Sequence, residues 1–143
     1  MVQDAVASGA TAVTGGKIDE LGPCFYQPTI LTDVNDKMRV FREEIFGPVA
    51  PIFKFKDETE AIAMANDTEF GLASYIYTRD IGRVWRVSEG IEYGMVGVNE
   101  TAITSDIIPF GGVKESGMGR EGSKYGVEDY IESKYICMGG LDK

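Results

Sequence analysis

Apolar and polar positions in this chain change period repeatedly, and each change marks an element. Val49 to Phe55 is a compact apolar run that predicts a strand. Asp57 then reads as a helix N-cap with Glu60 three residues on, and the helix presents Ala61, Ile62 and Ala65 before ending near Asn66. Ala73 to Thr78 is β-rich. A second helix starts from Asp80, with Ile81, Val84, Trp85 and Ser88 at i, i+3, i+4 and i+7. Met95 to Val98 reads as a short buried strand.

The flanks follow the same rules. Val2 to Ser8 reads as the end of a helix stopped by Gly9, and Ala12 to Thr14 as a short strand entering the Gly15-Gly16 turn. Phe25 to Leu31 is extended, with Pro28 suited to an edge strand or an irregular extension, and Lys37 to Phe41 reads as a short helix. A glycine-rich loop runs from Val98 to Gly122. Ser123 is expected to cap a last helix through Tyr130, and Ser133 to Met138 alternates like a strand. Strands alternating with helices predict an α/β fold with a largely parallel sheet.

Composition narrows the function. The 143 residues suit one domain with a sizeable core, and 43% hydrophobic content argues against disorder. A net charge of −9 with no Lys/Arg cluster counts against nucleic acid. No apolar run is long enough for a membrane helix, and the amino terminus lacks a signal-peptide pattern, so a soluble cytoplasmic protein is expected. There is no histidine, which excludes Ser-His-Asp and Cys-His units and the commonest metal ligand. Cys24 and Cys137 form no C-x-x-C pair, so neither a zinc site nor a disulfide framework is expected.

Two loops carry the candidate chemistry. In Arg42-Glu43-Glu44-Ile45-Phe46-Gly47-Pro48, either both acids are solvated at a helix end or one carboxylate accepts hydrogen bonds from ligand hydroxyls. Phe46, fixed by Gly47-Pro48, would then offer a flat apolar contact. Thr101, Thr104 and Ser105 precede Pro109-Phe110, where turn chemistry and a core plug compete with substrate contacts. Gly117 to Gly122 matches G-x-G-x-x-G in form. Lys114-Glu115-Ser116 stands where a buried strand should, so the glycines are read as turns and close packing. The sequons at Asn66 and Asn99 are discounted for want of a secretion signal.

Glu43-Glu44-Ile45-Phe46-Gly47-Pro48, followed by Pro109-Phe110-Gly111-Gly112 and on through Lys114, Ser116, Gly117, Gly119, Arg120 and Glu121, resembles the aldehyde dehydrogenase superfamily. Tyr26 to Leu31, Ala65 to Ala73 and Gly94 to Asn99 extend the resemblance over nearly the whole chain. Gly119 to Gly126 and Lys134 to Leu141 are most like succinate-semialdehyde dehydrogenases. The resemblance implies oxidation of an aldehyde, here succinic semialdehyde, to the acid with NAD or NADP. A cysteine nucleophile and a glutamate base do the chemistry in that family. By matched position Glu44 binds the cofactor ribose, Phe46 contacts the nicotinamide, and Phe110 lines the substrate tunnel. Thr104 stands where a serine usually binds the substrate carboxylate.

The resemblance also implies what this stretch does not carry. Neither cysteine stands in the nucleophile's context, and the base, the oxyanion asparagine and the dinucleotide fold are expected upstream of Met1. The chain is therefore expected to be a C-terminal fragment without catalytic residues of its own. Residues 1–130 would belong to the catalytic domain and 131–143 to an oligomerisation strand and tail. That strand implies a homo-oligomer, a dimer or tetramer. The rival readings are a non-catalytic module that docks on full-length subunits, and a free-standing dinucleotide domain built on Gly117 to Gly122.

Overall fold

The computed structural model describes residues 1–142, in two units, Met1–Asp57 and Glu58–Lys143, of which Lys143 lies outside the described residues. In the first unit α1 (Val2–Ala7) leads into β1 (Thr11–Thr14), then β2 (Thr29–Thr32), α2 (Arg39–Arg42) and β3 (Val49–Pro51). The sheet order is β1-β2-β3. β1 runs antiparallel to β2, with Thr11 opposite Thr32, and β3 runs parallel to it, with Leu31 opposite Pro51. The core holds Val2, Ala5, Ala10, Leu31, Met38 and Val40. Thr29, buried beside them, keeps its hydroxyl satisfied by accepting Gly16 N–H at 2.8 Å and donating to Gln27 O at 2.7 Å.

The second unit contains α3 (Glu58–Asn66), β4 (Phe70–Gly71), β5 (Ala73–Ile76), α4 (Ile81–Gly90), β6 (Met95–Val98) and β7 (Val113–Lys114). β5 and β6 pair in parallel, and β4 pairs with β7 antiparallel. Asp80 caps α4, its carboxylate accepting Gly82 N–H at 2.8 Å and Arg83 N–H at 3.2 Å. Ile62 of α3 packs where Gly90 at the end of α4 has no side chain.

An ionic clasp joins the two helices. Glu58 accepts from Arg86 Nε at 2.6 Å and Arg86 Nη2 at 3.0 Å, and from Arg83 Nε at 3.0 Å. Hydrogen bonds from Arg86, then Arg83, hold the Glu58 carboxyl down at about 2, against an ordinary value of 4.5. A depressed carboxyl stabilises fully above its unfolded value and loses that contribution as pH falls through its folded one. The stability gap between parent and Glu58→Gln should therefore narrow as pH falls from 4.5 to about 2. A gap independent of pH in denaturant titrations would remove the clasp from the stability of this unit.

Several expectations change. The sheets are mixed, because β1 and the β4–β7 pair run antiparallel. The expected helix from Ser123 to Tyr130 is a series of turns with only a 3₁₀ turn at Glu128–Tyr130. Gly122 and Gly126 interrupt that run, Ser123 takes φ +52°, and its hydroxyl accepts Tyr125 N–H two residues on, as in a turn. The strand expected at Val49 to Phe55 is shorter, Val49–Pro51, with one further main-chain bond from Ile52 N–H to Leu31 O at 2.9 Å. Residues 131–140 are exposed and form no ladder within the chain, so Ser133 to Met138 makes no strand here. The apolar stripe of α4 is only partly covered: Val84 and Ser88 are half-buried, but Ile81 is 70% exposed and Trp85 63%.

Candidate functional site

The first candidate loop lies in the first unit, between α2 and β3. Arg39 and Glu43 are one helical turn apart and form a two-pronged pair, Nε to Oε1 at 2.7 Å and Nη2 to Oε2 at 2.8 Å. Hydrogen bonding from Arg39 lowers the Glu43 pKa. Glu44, its neighbour, is exposed and has no partner among the described residues. The two acids thus part ways: one braces the helix end, the other is open to a ligand.

Two residues further on, Phe46 takes φ +44° and is 92% exposed. A bulky residue in the left-handed region costs roughly 1–2 kcal/mol, and nothing buried here repays it. Gly47-Pro48 follows and leads straight into β3, whose first residue pairs with Thr29. Phe41 packs edge-on against Phe53, centroids 5.3 Å apart, with the Arg42 guanidinium 4.6 Å over its ring. These contacts hold the base of the loop while Glu44 and Phe46 project from it.

Thr104 and Phe110 share a loop of the second unit, anchored at both ends. At its start the Asn99 amide accepts Thr78 N–H at 2.9 Å and donates to Thr78 O at 2.8 Å. Glu100 accepts from Thr101 and Ala102 N–H at 2.7 and 2.9 Å, and these backbone donors, Ala102 first, lower its pKa. At its end Phe110 and Glu121 exchange backbone bonds of 2.8 and 2.7 Å. Between the anchors Thr104 is exposed, and Phe110 is half-buried at the wall of an open cleft of about 600 Å³ that Arg120, Asp129 and Tyr130 also line.

The glycine run is a scaffold. Gly117, Gly119 and Gly122 all take positive φ, and among the described residues no α-helix follows them as a dinucleotide fingerprint requires. Sequence reasoning missed the residues that hold the loop. Lys114 donates to Asn66 O at 3.0 Å and Thr68 O at 3.2 Å, the Ser116 hydroxyl accepts Gly71 N–H at 2.9 Å, and Arg120 bonds Gly112 and Gly119 carbonyls. The available signal was a loop whose carbonyls no helix or strand would satisfy, with cations among them. The sequon Asn66 is tied to Gly90 O and Glu92 N–H, both at 2.8 Å.

Cys24 and Cys137 are free and exposed. Among the described residues no group of His, Cys, Asp or Glu is placed to hold a metal ion, and no helix is long and apolar enough to cross a membrane.

Glu44 and Phe46 thus put an unpartnered carboxylate and an exposed aromatic face on one loop. The family model described as "Aldehyde dehydrogenase family" matches residues 1–136, so the chain belongs to the aldehyde dehydrogenase family. It is 60% identical over 98% of its length to the glutarate-semialdehyde dehydrogenase of Pseudomonas aeruginosa, covering 29% of that protein. It is 59% identical over 96% of its length to the NADP(+) succinate-semialdehyde dehydrogenase of Escherichia coli, again covering 29%. The crystal structure of succinate-semialdehyde dehydrogenase from Burkholderia pseudomallei matches with a TM-score of 0.91 at 58% identity, over 96% of this chain and 28% of that one. The fold is thus the aldehyde dehydrogenase fold, α/β with mixed sheets. The chain spans under a third of the length of the curated relatives it matches.

Proposed function

We propose that this chain is part of an NAD- or NADP-dependent aldehyde dehydrogenase whose substrate is a semialdehyde, succinic semialdehyde first, the Glu44–Phe46 loop serving the cofactor and the Thr104–Phe110 loop the substrate. Phe46 carries the reading: an exposed ring in a strained left-handed conformation, two residues from an unpartnered carboxylate. Strain of this kind persists where a site needs a side chain aimed outward. Glu44 accepts hydrogen bonds from the ribose hydroxyls, and Phe46 sets the flat face against which the nicotinamide lies. The Thr104 hydroxyl donates to the carboxylate at the far end of the substrate, and Phe110 walls its carbon chain from water. The dinucleotide, when bound, accepts the hydride.

The 143-residue chain alone is expected to be inactive. Its two cysteines are free and exposed, neither in the sequence context of the family's nucleophile, and it spans under a third of its relatives' length. Tyr77, Ile81 and Trp85 are 66%, 70% and 63% exposed around a two-stranded parallel sheet, a sheet type normally covered on both faces. That supports a working state in which more protein covers them. Residues 131–140, exposed and unladdered, suit a strand that joins a neighbouring subunit in a homo-oligomer.

A chimera provides the test: the E. coli relative with its matching segment replaced by this chain. It should produce NADPH from succinic semialdehyde, whereas the isolated chain should not. Glu44→Gln in the chimera loses charge-assisted bonds and should raise the cofactor KM about tenfold, with the aldehyde KM unchanged. An unaltered cofactor KM and kcat would remove Glu44 from the site.

A further inference from the structure

Arg120 is half-buried, yet it makes no ion pair among the described residues. Its Nη1 donates to Gly112 O at 2.8 Å and to Gly119 O at 2.6 Å, so both N–H groups of one nitrogen bind main-chain carbonyls. Its own N–H donates to Asp129 Oδ2 at 3.2 Å. A side chain on Gly111 would meet Arg120 Cδ at 2.9 Å, so the arginine stem lies directly under the residue after Phe110. The Phe110–Glu121 bridge sits beside this clamp. The guanidinium bond to Gly112 O and the Phe110–Glu121 bridge thus tie the segment bearing Phe110 to the opposite strand of the loop on both sides of Gly111.

We propose that Arg120 is a positioning residue for the aldehyde side of the site: it sets where the Phe110 ring stands and hence which semialdehyde chain length fits. This rests on the functional reading above. Charge-assisted bonds to carbonyls are strong, and a planar fork loses little freedom in making two of them. Lysine is one bond shorter and cannot reach both carbonyls from the same stem. Methionine keeps the stem and donates nothing. A hydrophobic pocket distinguishes one methylene by about 10–200-fold, but only while its wall is held in place.

The test uses the chimera with Arg120→Met and Arg120→Lys, assayed with succinic and glutaric semialdehydes and by hydrogen exchange of peptides spanning 106–122. Faster exchange at Phe110 and Glu121 is expected. The KM for the preferred semialdehyde should rise about tenfold, the preference between the two lengths should shrink, and the cofactor KM should stay put. Lysine should fall between parent and methionine. Unchanged exchange, or an equal loss for both aldehydes together with a weakened cofactor KM, would overturn the assignment. If Arg120→Met does not fold, Arg120→Lys carries the same readouts. A parent chimera that oxidises neither aldehyde ends the functional reading and this proposal together. A parent that oxidises them, with an unaltered profile in both variants, ends this proposal alone.

Discussion

Gly94→Ala is expected to destabilise the second unit by about 3 kcal/mol, the top of the range for overpacking. Gly94 donates its N–H to Gly71 O at 3.0 Å, and an added Cβ would run into Gly111 O and come within 2.8 Å of Gly112 Cα. All of these are backbone atoms, with no side-chain tip to swing aside. Gly71 and Gly112 are crowded too, though less: a Cβ on Gly71 would lie 2.6 Å from Glu92 O, and one on Gly112 would lie 2.7 Å from Ser116 Cβ and 3.1 Å from Gly71 O. Three stretches of main chain touch here because three glycines permit it. The cost should lower the thermal midpoint by roughly 10 °C. Gly139→Ala, with nothing within 4 Å, is the control and should leave the midpoint alone. A Gly94→Ala midpoint equal to that of the control would show that the loop can move aside.

The same crowding ties stability to the site, because the backbone that Gly94→Ala would displace is the residue pair after Phe110. It also shows which parts of the molecule were legible beforehand. Asp80 and the helix after it are written locally, since a cap bonds to N–H groups two and three residues on. β5 and β6 were readable as short apolar runs. β4 and β7 were not, because two-residue strands carry no period, and they pair across a separation no pattern reports. Lys114 illustrates the same limit, reaching carbonyls 48 and 46 residues away. The stripe of α4 was read correctly as apolar, but period tells which face seeks cover and not whether this stretch supplies it. Ser123 misled because its hydroxyl serves a turn as readily as a cap. Of the site, the pair of acids was visible; that Arg39 takes Glu43 and leaves Glu44 open needed the geometry.

Phe46→Gly should raise the stability of the chain while crippling the assembled enzyme. The ring is 92% exposed, so little burial is lost, and φ +44° is a conformation glycine adopts freely. Relief of about 1–2 kcal/mol of left-handed strain, set against about 0.5–1 kcal/mol of added unfolded-chain entropy, leaves a gain of about 1 kcal/mol or less. On the proposed role of Phe46, the chimera loses the flat face that would hold the nicotinamide in line for hydride transfer. Misplacement of that order costs about a hundredfold in turnover. Phe46→Ala separates the two effects, since alanine loses the ring but keeps the strained φ. It should match Phe46→Gly in lost turnover and fail to match it in denaturant stability. Were both variants to turn over like the parent, Phe46 would have no part in the reaction. Were glycine no more stable than alanine, the left-handed residue would cost the fold nothing, and the strain that marks this loop as functional would lose its force.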